Sequence, residues 1–393
     1  MNKPKLLFYC QHSLGMGHLV RSFRLAATFA DVFEVIFING GPVPEGIEVP
    51  KDIRLQNLPP LGMITDSHEL ISRDSEISVE KAKEARRKTI MQLYLQHQPA
   101  VIVIELFPFG RKKFADELIP LLEAAQQQLH KPLVLCSLRD ILVQNRRDQQ
   151  AFEDRACKTL NRYFDAVLLH CDLAFARLSD FFKPNVPLQV PIYNTGFVAP
   201  DVFDTQHVTR ERRVIVSAGG GIEGGSLFQT AIAAQKIIWK KARIPMTLIA
   251  GPFLPDNEWQ ALQLQASQTP GFTLHRSVDG LMPLLLRNEF SISQCGYNTA
   301  MELMQSGIRA LVVPFQTLME DEQMSRARKL QRAGAVSLLE PQQLNSENLA
   351  EAMLDLQDRP QIMHQLDTNG AENTLKTILM LRNRQQHQQV ATL

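Results

Sequence analysis

The feature that most constrains the fold of this chain is a regular alternation of short apolar runs with longer amphipathic segments. Runs such as Lys5–Cys10 and Val101–Glu105 have the length of strands, and Val79–His97 has the spacing of a helix. Strands that alternate with helices form parallel sheets covered on both faces. The other predicted strands are Phe33–Ile38, Leu133–Ser137, Ala166–His170, Arg213–Ser217, Met246–Ala250, Phe272–His275, Phe290–Gln294 and Arg309–Val313.

The alternation restarts near residue 213, after a connector rich in Pro, Gly, Asn and Asp at Pro191–Asp204. We therefore predict an α/β domain over residues 1–204, a second over 205–370, and a helical tail over 371–393. The segment Gly40–Glu80 has little periodicity and predicts a long loop that borders a substrate site. In open parallel sheets, ligands bind beyond the carboxyl ends of the strands, and two such sheets suggest a cleft between two domains.

Composition excludes several functional classes. Lys plus Arg total 42 and Asp plus Glu 41, so the charge balance argues against a nucleic-acid binder. The five cysteines are odd in number and lack the spacing of a zinc site or a disulfide framework. No apolar run is long enough to span a bilayer, and the first residues do not resemble a signal peptide. We expect a reduced, cytoplasmic protein.

A glycine-rich turn follows the first predicted strand. Gly15 and Gly17 permit a tight turn and close backbone approach, and a helix begins at about His18. The N–H groups at that helix start attract an anion, and Arg21 could pair with a phosphate or carboxylate. His18 could take a proton from a hydroxyl. The GxGxxG fingerprint of dinucleotide binding is incomplete, which disfavours NAD and FAD.

A second glycine-rich loop runs from Ser217 through Gly219, Gly220 and Gly221, between a predicted strand and a helix. Its backbone N–H groups could hold a diphosphate, although the lysine of a Walker A loop is missing. Another helix opens after the strand that ends at Gln294. Its first residues are Gly296, Asn298 and Thr299, and the Glu302 carboxylate one turn on could accept two ribose hydroxyls. Glu322 and Gln323 follow the next strand and could bind sugar hydroxyls.

Together these motifs resemble the GT-B glycosyltransferases, and most closely the family 28 branch that contains the N-acetylglucosaminyltransferase of lipid II synthesis. The likeness is strongest at Gly15–Arg21 and in the stretch Gln294–Gly334, which includes GYNTAMELMQSGIRALVVPF. The piece GMGHLVR also looks like the GxGHxxR of a related sugar-nucleotide hydrolase.

The resemblance implies two Rossmann-like, doubly wound α/β domains that face each other across a cleft. The C-terminal domain would hold a nucleoside-diphosphate sugar, with a UDP-sugar as the expected donor. Glu302 would bind the ribose, Gly219–Gly221 would approach the diphosphate, and Glu322 and Gln323 would contact the transferred sugar. The N-terminal domain would hold the acceptor, with His18 near the reaction centre. The family generally needs no metal or other cofactor, and no DxD motif is evident in this sequence.

Two further blocks set the chain apart as a distinct subfamily. The stretches Glu105–Arg111 and Ser137–Asp140 have no assignable counterpart in the lipid II enzyme. We expect Glu105, Arg139 and Asp140 to line the acceptor side, and Arg21, Gly15 and Gly17 to bind a phosphate or acceptor there. The SAGGG loop and Tyr297-Asn298 also depart from the family pattern, which bears on the identity of the donor.

The leading hypothesis is metal-independent, inverting transfer of a hexosyl or N-acetylhexosaminyl group to a hydroxyl acceptor. His18 is the first candidate for the general base, and Asp140 or Glu105 the second. Hydrolysis or epimerisation of a sugar nucleotide on the same fold remains an alternative. A non-catalytic sugar-nucleotide sensor or scaffold is an alternative of a different class.

Basic clusters bear on where the protein acts. They occur at 86–88, 111–113 and 146–147, all in the N-terminal half. If they share a face with exposed Phe107 and Phe109, that face could contact an anionic membrane at its inner side, and a lipid-linked acceptor would fit. Scattered, solvated charges on helices are the alternative.

Overall fold

The computed structural model describes residues 3–11, 17–63, 69–142, 146–201, 209–317, 321–360 and 365–391. The chain divides into two compact units. Unit 1 contains the residues up to Leu142, then Arg146–Val198, and the residues from Leu366 onward; unit 2 contains Ala199–Gln365.

Unit 1 is built on a seven-stranded sheet in the order β3-β2-β1-β6-β7-β8-β9, in which every pairing is parallel. Nearly every residue of the central strands is buried, on both sides of the pleat, as expected for a sheet covered by helices on both faces. The strands are β1 (Lys5–Cys10), β2 (Glu34–Asn39), β3 (Ile53–Asn57), β6 (Val101–Glu105), β7 (Leu133–Arg139), β8 (Ala166–His170) and β9 (Ile192–Asn194); β4 (Leu61–Met63) and β5 (Leu70–Ser72) form a separate antiparallel pair.

The helices of unit 1 between these strands are α1 (Gly17–Ala30), α2 (Val79–His97), α3 (Ala115–Gln127) and α4 (Gln149–Tyr163). α2 begins where the hydroxyl of Ser78 accepts a hydrogen bond from the backbone N–H of Lys81. The apolar side of α1 places Phe23 and Phe29 against Phe8 and Phe37 of the sheet, with ring centroids 4.8–6.1 Å apart. This aromatic cluster fixes α1, and with it the residues at its N-terminus, against β1 and β2.

Unit 2 repeats the same plan with a six-stranded parallel sheet in the order β12-β11-β10-β13-β14-β15. Its strands are β10 (Glu211–Ser217), β11 (Met246–Ile249), β12 (Phe272–His275), β13 (Asn288–Ser293), β14 (Arg309–Val312) and β15 (Ser337–Leu338). Its helices are α5 (Gly225–Ala242), α6 (Asp256–Ser267), α7 (Met282–Arg287), α8 (Tyr297–Ser306), α9 (Glu322–Arg332) and α10 (Ser346–Asp355). Both sheets grow outward in two directions from their first strand, which is the doubly wound arrangement that the sequence predicts.

The C-terminal helix α11 (Gly370–Ala391) returns to unit 1 rather than extending unit 2. Ile378 is fully buried in the core that contains Phe8 and Phe29, and Leu375 packs at its edge. A short bridge between Val198 and Asn369 joins the chain entering unit 2 to the chain leaving it. The predicted domain boundary at 204/205 lies outside the described residues, and the predicted tail is an integral helix of unit 1.

Two expectations about unit 1 are wrong. The segment Gly40–Glu80 was predicted as a loop, but it contains β3, β4 and β5. The sequence did not indicate β3 because this strand lies at the sheet edge with only partly buried residues and so lacks a clear apolar alternation. Phe107 and Phe109 are buried rather than exposed, since both rings pack inside unit 1, Phe107 against Phe164 and Phe109 against Phe182. The apolar part of the proposed membrane-facing surface is therefore absent at these two residues.

Candidate functional site

The carboxyl end of β6 and the N-terminus of α1 meet at one hydrogen-bonded pair of side chains, His18 and Glu105. Glu105 is the last residue of β6 and is fully buried, and His18 is the second residue of α1. His18 Nδ1 lies 2.6 Å from Glu105 Oε1, and 17% of the His18 side-chain surface is exposed to solvent. β1 and β6 are neighbours, and the chain leaves them in opposite directions across the sheet. The pair thus lies at the point where doubly wound folds bind ligands.

Two arginines complete the surroundings of the Glu105 carboxylate. Arg21 Nη2, from the next turn of α1, lies 2.7 Å from Oε1, and Arg111 Nη2 lies 3.5 Å from Oε2. Burial raises the pKa of the Glu105 carboxyl, but the interactions with His18, Arg111 and Arg21 outweigh burial and lower the pKa below its usual range. Glu105 is therefore ionised at neutral pH.

His18 is held as a neutral imidazole of defined orientation. Burial lowers the pKa of His18 to about 3 against the opposing effect of Glu105, and Arg111 and Arg139 add to the lowering. An ionised carboxylate can only accept hydrogen bonds, so Nδ1 carries the proton and donates a hydrogen bond to Glu105 Oε1. Nε2 then presents a lone pair, and it has no hydrogen-bond partner within the described part of the chain. This arrangement can accept a proton from a bound hydroxyl.

The other residues predicted for the site in unit 1 differ in their burial and in whether they act on His18. Gly17 is exposed at the first position of α1, whereas Gly15 lies outside the described residues. Arg139 ends β7 with a half-buried side chain that acts electrostatically on His18. Asp140 is buried just beyond it, but the carboxylate that contacts His18 belongs to Glu105.

In unit 2, the loop that follows β10 is shaped by glycine. Ser217 ends β10 with a buried side chain, and Gly219 and Gly221 have φ angles of 55° and 92°. A Cβ atom at Gly221 would lie 2.2 Å from the carbonyl oxygen of Ala250, whereas one at Gly219 would meet nothing within 4 Å. The loop therefore packs against the end of β11 at Gly221 and is open at Gly219, where a ligand could approach the backbone.

The loop between β13 and α8 lies beside it, because β10 and β13 are neighbouring strands. Gly296 caps α8 at the position before Tyr297, and Asn298 and Thr299 occupy its first turn. Glu302 follows one turn later with a half-buried side chain. The start of α8 and the glycine loop after β10 thus flank the switch point of the unit 2 sheet, and a helix N-terminus there favours an anion.

Helix α9 holds this second loop in place. Gln323 Oε1 accepts hydrogen bonds from the backbone N–H groups of Cys295 (3.0 Å) and Phe315 (3.1 Å). Arg326, which is fully buried, donates from Nη1 to the carbonyl of Cys295 at 2.8 Å. Gln323 was predicted to contact a sugar, but its amide oxygen is occupied by these backbone groups, which leaves Nε2 to bind a ligand. Glu322 is buried, with Oε1 3.9 Å from Arg326 Nη2.

Three residues that contribute to these two sites were given no specific role there from the sequence. Arg111 was assigned to a surface cluster, although a positive φ of 60° and an 11% exposed side chain place it against Glu105. No local sequence pattern indicates a role for Arg326, because its hydrogen-bond partner is the backbone carbonyl of Cys295 on another loop. Ser293 is in register with Ser217, and both hydroxyls are buried without a hydrogen-bond partner among the described residues. A serine at the end of each of two neighbouring predicted strands was the signal available for Ser293.

Neither a metal-binding cluster of side chains nor a membrane-spanning helix occurs among the described residues. No three His, Cys, Asp or Glu side chains come together there in a way that could hold a metal ion. Among the same residues, no helix combines the length and the apolar character needed to cross a bilayer.

Comparison with known proteins relates the C-terminal half to a family of enzymes. Residues 220–380 match the glycosyltransferase family 28 C-terminal domain. The UDP-N-acetylglucosamine–N-acetylmuramyl-(pentapeptide) pyrophosphoryl-undecaprenol N-acetylglucosamine transferase of Synechococcus elongatus is 29% identical over 214 residues, 53% of this chain and 55% of that protein. The protein of the same name from Hahella chejuensis is 33% identical over 87 residues, 22% of this chain and 24% of that protein. The chain thus spans about half the length of the first of these relatives, and the family 28 resemblance is confirmed.

Solved structures extend the likeness to both units. The calicheamicin glycosyltransferase CalG4 has a TM-score of 0.60 at 14% identity, covering 100% of this chain and 98% of that chain. MurG of Acinetobacter baumannii has a TM-score of 0.55 at 16% identity, covering 98% and 100%. UDP-GlcNAc 2-epimerase from Methanocaldococcus jannaschii has a TM-score of 0.59 at 11% identity, covering 96% and 99%. The predicted GT-B fold class, with two Rossmann-like units, is confirmed.

Proposed function

We propose that this GT-B protein, whose C-terminal half is similar to family 28, transfers a sugar from a nucleoside-diphosphate sugar to a hydroxyl acceptor. The family match begins at Gly220, within the loop after β10, and includes the start of α8; both elements are ones that we assign to the donor. The relatives are named for transfer from UDP-N-acetylglucosamine, which supports a UDP-sugar as donor. The acceptor is assigned to unit 1.

The observation that carries the proposal is the His18–Glu105 pair. The acceptor hydroxyl gives its proton to His18 Nε2 as its oxygen forms a bond to the anomeric carbon of the donor. The bond from that carbon to the diphosphate breaks, and the nucleoside diphosphate leaves with the electron pair. Attack from the face opposite the leaving group inverts the anomeric configuration. Glu105 keeps Nδ1 protonated and stabilises the imidazolium that forms.

We assign the stabilisation of the leaving diphosphate to backbone N–H groups rather than to a metal or another cofactor. The open side of the loop at Gly219 and the N-terminus of α8 after Gly296 supply such groups, and a helix N-terminus favours negative charge. Glu302 is assigned to the donor ribose. Gln323 and Arg326 act as positioning residues, because they hold the loop that precedes α8.

The acceptor and the place of action in the cell are proposed from the names of the relatives and from the sequence. The names of the relatives include an undecaprenol-linked acceptor, so we propose a lipid-linked hydroxyl acceptor. We propose action on the cytoplasmic side of a membrane from the cysteine pattern of the sequence. The burial of Phe107 and Phe109 excludes the apolar contact first considered for peripheral membrane binding. Exposed basic residues such as Arg87 and Lys113 remain available for contact with anionic lipids.

A melting panel with UDP-, GDP-, dTDP- and CDP-sugars tests the donor assignment, with free nucleoside diphosphate read in the same samples. We expect stabilisation by the UDP-sugar; a ligand at 100 times its Kd adds about 2.7 kcal/mol to the free energy of unfolding. No shift with any nucleotide in a folded sample would refute the donor site.

The variant His18→Ala tests the base. It should keep the nucleotide-induced shift in melting temperature and lose about 10²- to 10⁴-fold in turnover. The matched control His97→Ala removes an imidazole at the far end of α2 and should keep both properties. Normal turnover by folded His18→Ala protein would show that another group takes the proton.

Hydrolysis and epimerisation remain second candidates for specific reasons. The GxGHxxR likeness at Gly15–Arg21 favours a hydrolase, and the structural likeness to UDP-GlcNAc 2-epimerase admits epimerisation. Release of free sugar at the same rate with and without acceptor would favour hydrolysis, and conversion of UDP-GlcNAc to its 2-epimer would favour epimerisation. Tight nucleotide binding with none of these reactions would favour a sensor or scaffold.

A further inference from the structure

One face of the unit 1 sheet carries a row of three polar side chains where its central strands end. Glu105 ends β6, Ser137 lies opposite it in β7, and His170 ends β8. All three are fully buried, and the residues two positions earlier, Val103 and Leu135 among them, belong to the apolar core that α1 and α11 help to form. Residues two apart in a strand share a face, so the row points toward these two helices. Polar groups buried in such a place must find hydrogen-bond partners.

His170 is the centre of a set of buried hydrogen bonds. The hydroxyls of Thr195 and Thr374 each donate their single proton to a backbone carbonyl, so toward His170 they can only accept. His170 Nδ1 therefore carries the ring proton and shares it between Thr195 Oγ1 at 3.0 Å and Thr374 Oγ1 at 3.4 Å. Nε2 is then an acceptor, and the Ser137 hydroxyl donates to it at 2.7 Å. Through this one imidazole, β7 and β8 are joined to α11.

The same serine of β7 holds the end of β6. Its carbonyl accepts a hydrogen bond at 2.9 Å from the N–H of Leu106, the residue directly after Glu105. Leu106 has a φ of 65°, which a non-glycine residue keeps only where its surroundings enforce it. Glu105 Oε1 in turn accepts from His18 Nδ1 at 2.6 Å. An unbroken line of bonded groups therefore leads from the Thr374 hydroxyl on α11 through Ser137 to the imidazole of His18.

Electrostatic effects connect His170 with the same carboxylate. Burial lowers the pKa of His170 to about 3; Arg21, which lies 2.7 Å from Glu105, adds to the lowering, and Glu105 opposes it. A cation at this position would compete with His18 for the Glu105 carboxylate. A neutral imidazole can join the strands without adding charge, which leaves the carboxylate free to orient His18.

We propose that Thr374, His170 and Ser137 are positioning residues for the general base, through which helix α11 sets the placement of Glu105 and of the His18 imidazole. None of the three is exposed, so none of them can contact a substrate. A misplacement of about 1 Å at a reacting group can lower a rate by about 100-fold, so such a connection bears on turnover. This inference rests on the proposed function, since that function gives the acceptor proton to His18.

The first test reads the placement of His18 without any turnover. The full chain is labelled with ¹⁵N-histidine, the signals of His18 are assigned with the His18→Ala variant, and the exchange of its Nδ1 proton with water is measured by NMR. Thr374→Val keeps the size of the side chain but removes the hydroxyl, and Ser137→Ala removes the donor to His170. We expect each to speed this exchange by up to about tenfold, the change that corresponds to one lost hydrogen bond.

Two further variants separate positioning from a general loss of packing. Thr374→Ser keeps the hydroxyl and should restore the exchange rate of the wild type. Thr377→Val is the matched control, because Thr377 lies one turn later in α11 and its hydroxyl donates to the carbonyl of Asn373 at 2.8 Å. It should leave the His18 signals unchanged. Melting curves check that every variant is folded.

The second test measures release of UDP from UDP-N-acetylglucosamine. Thr374→Val and Ser137→Ala should lower kcat by about tenfold or more and leave KM unchanged, because the donor is assigned to unit 2. The double variant should lose less than the product of the two single losses, since both changes break one line.

Unchanged His18 exchange in folded Thr374→Val and Ser137→Ala would overturn the proposal, as would a double variant whose losses multiply. A wild type that releases no UDP and is not stabilised by it would count against the proposed function instead. The His18 signals would still decide whether α11 positions the imidazole.

Discussion

Histidine protonation illustrates how single residues of this protein respond to burial. His170, fully buried on β8, lies 2.7 Å by Nε2 from the hydroxyl of Ser137 and 3.0 Å by Nδ1 from that of Thr195. Burial lowers its pKa to about 3, as it does for His18. An unfolded histidine titrates near pH 6.5, so between about pH 6.5 and 3 the unfolded state binds more protons than the folded state. Both residues therefore destabilise the fold as the pH falls through this window.

The pH dependence of stability should lose part of its slope in a His170→Gln variant. Each neutral, buried imidazole contributes up to about 1.4 kcal/mol per pH unit below pH 6.5. The variant should be less stable than the wild type at pH 7, where it loses two hydrogen bonds, but its stability should fall less steeply towards pH 5. Urea unfolding at pH 7, 6 and 5 measures both effects; parallel curves for the two proteins would contradict the shifted pKa.

At the scale of elements, the strand-end loops are held by buried contacts from helices. Arg86 of α2 is fully buried and donates to the Glu117 carboxylate of α3 at 2.6 and 2.8 Å. It also donates to Gln11 Oε1 at the end of β1 and to the carbonyl of Gly40 at the end of β2. One side chain thus joins two helices to two strand ends. Arg86 was assigned to a surface cluster, and its burial corrects that assignment.

Replacing Arg86 by Met should unfold part of this arrangement. The substitution leaves Glu117 as a buried charge without its cation, which costs about 3–5 kcal/mol. Arg87→Met, at the exposed neighbouring position, should change the free energy of unfolding by less than about 0.5 kcal/mol. Chemical denaturation of the two variants measures the difference. A loss of stability in Arg86→Met as small as that in Arg87→Met would show that the network contributes no stability.

The glycine loop after β10 gives a second contrast within one element. Gly221→Ala should destabilise the protein by about 2 kcal/mol or more and weaken nucleotide binding, because a Cβ there meets the Ala250 carbonyl at 2.2 Å. Gly219→Ala, with φ of 55° and open space around its Cβ, should cost only about 1 kcal/mol. Thermal melting of Gly221→Ala and Gly219→Ala with and without UDP measures both effects. A smaller loss of stability in Gly221→Ala than in Gly219→Ala would contradict the packing of Gly221 against Ala250.

At the scale of elements, the strands and helices predicted correctly were those with a clear local pattern of apolar residues. The strands Lys5–Cys10 and Ala166–His170 and the helix Val79–His97 were predicted to the residue. Apolar periodicity sufficed there because these elements are long or fully buried. β3 was missed because an edge strand buries little, and β15 because it has two residues. At the site, His18 and the glycine loops stood out in sequence, whereas Arg326 did not.

At the scale of the whole molecule, two doubly wound units share one chain that crosses between them twice. α11 follows unit 2 in sequence but completes the core of unit 1 through Ile378. The stability of unit 1 therefore depends on residues at the opposite end of the chain from β1. Unit 2 has a separate core, in which Met353 of α10 is fully buried.

Core substitutions should act on one unit at a time. Ile378→Ala should cost about 2–5 kcal/mol and raise amide hydrogen exchange in β1 and β2, with little change in β10 and β13. Met353→Ala, the control in the other core, should show the reverse. Exchange followed by mass spectrometry resolves the strands, and equal effects on both units would mean that they unfold as one.

The sequence by itself determined the α/β class, most strands and helices, and the residues that follow the strand ends, His18 and the two glycine loops among them. These features are local, since they depend on apolar period and on what glycine permits at a turn. Only the tertiary structure decided that Glu105 pairs with His18 across 87 residues, that Arg86 is buried, and that α11 belongs to unit 1. Such pairings depend on strand order and on which buried charge finds a partner, and these are properties of the folded core that no short window of sequence contains.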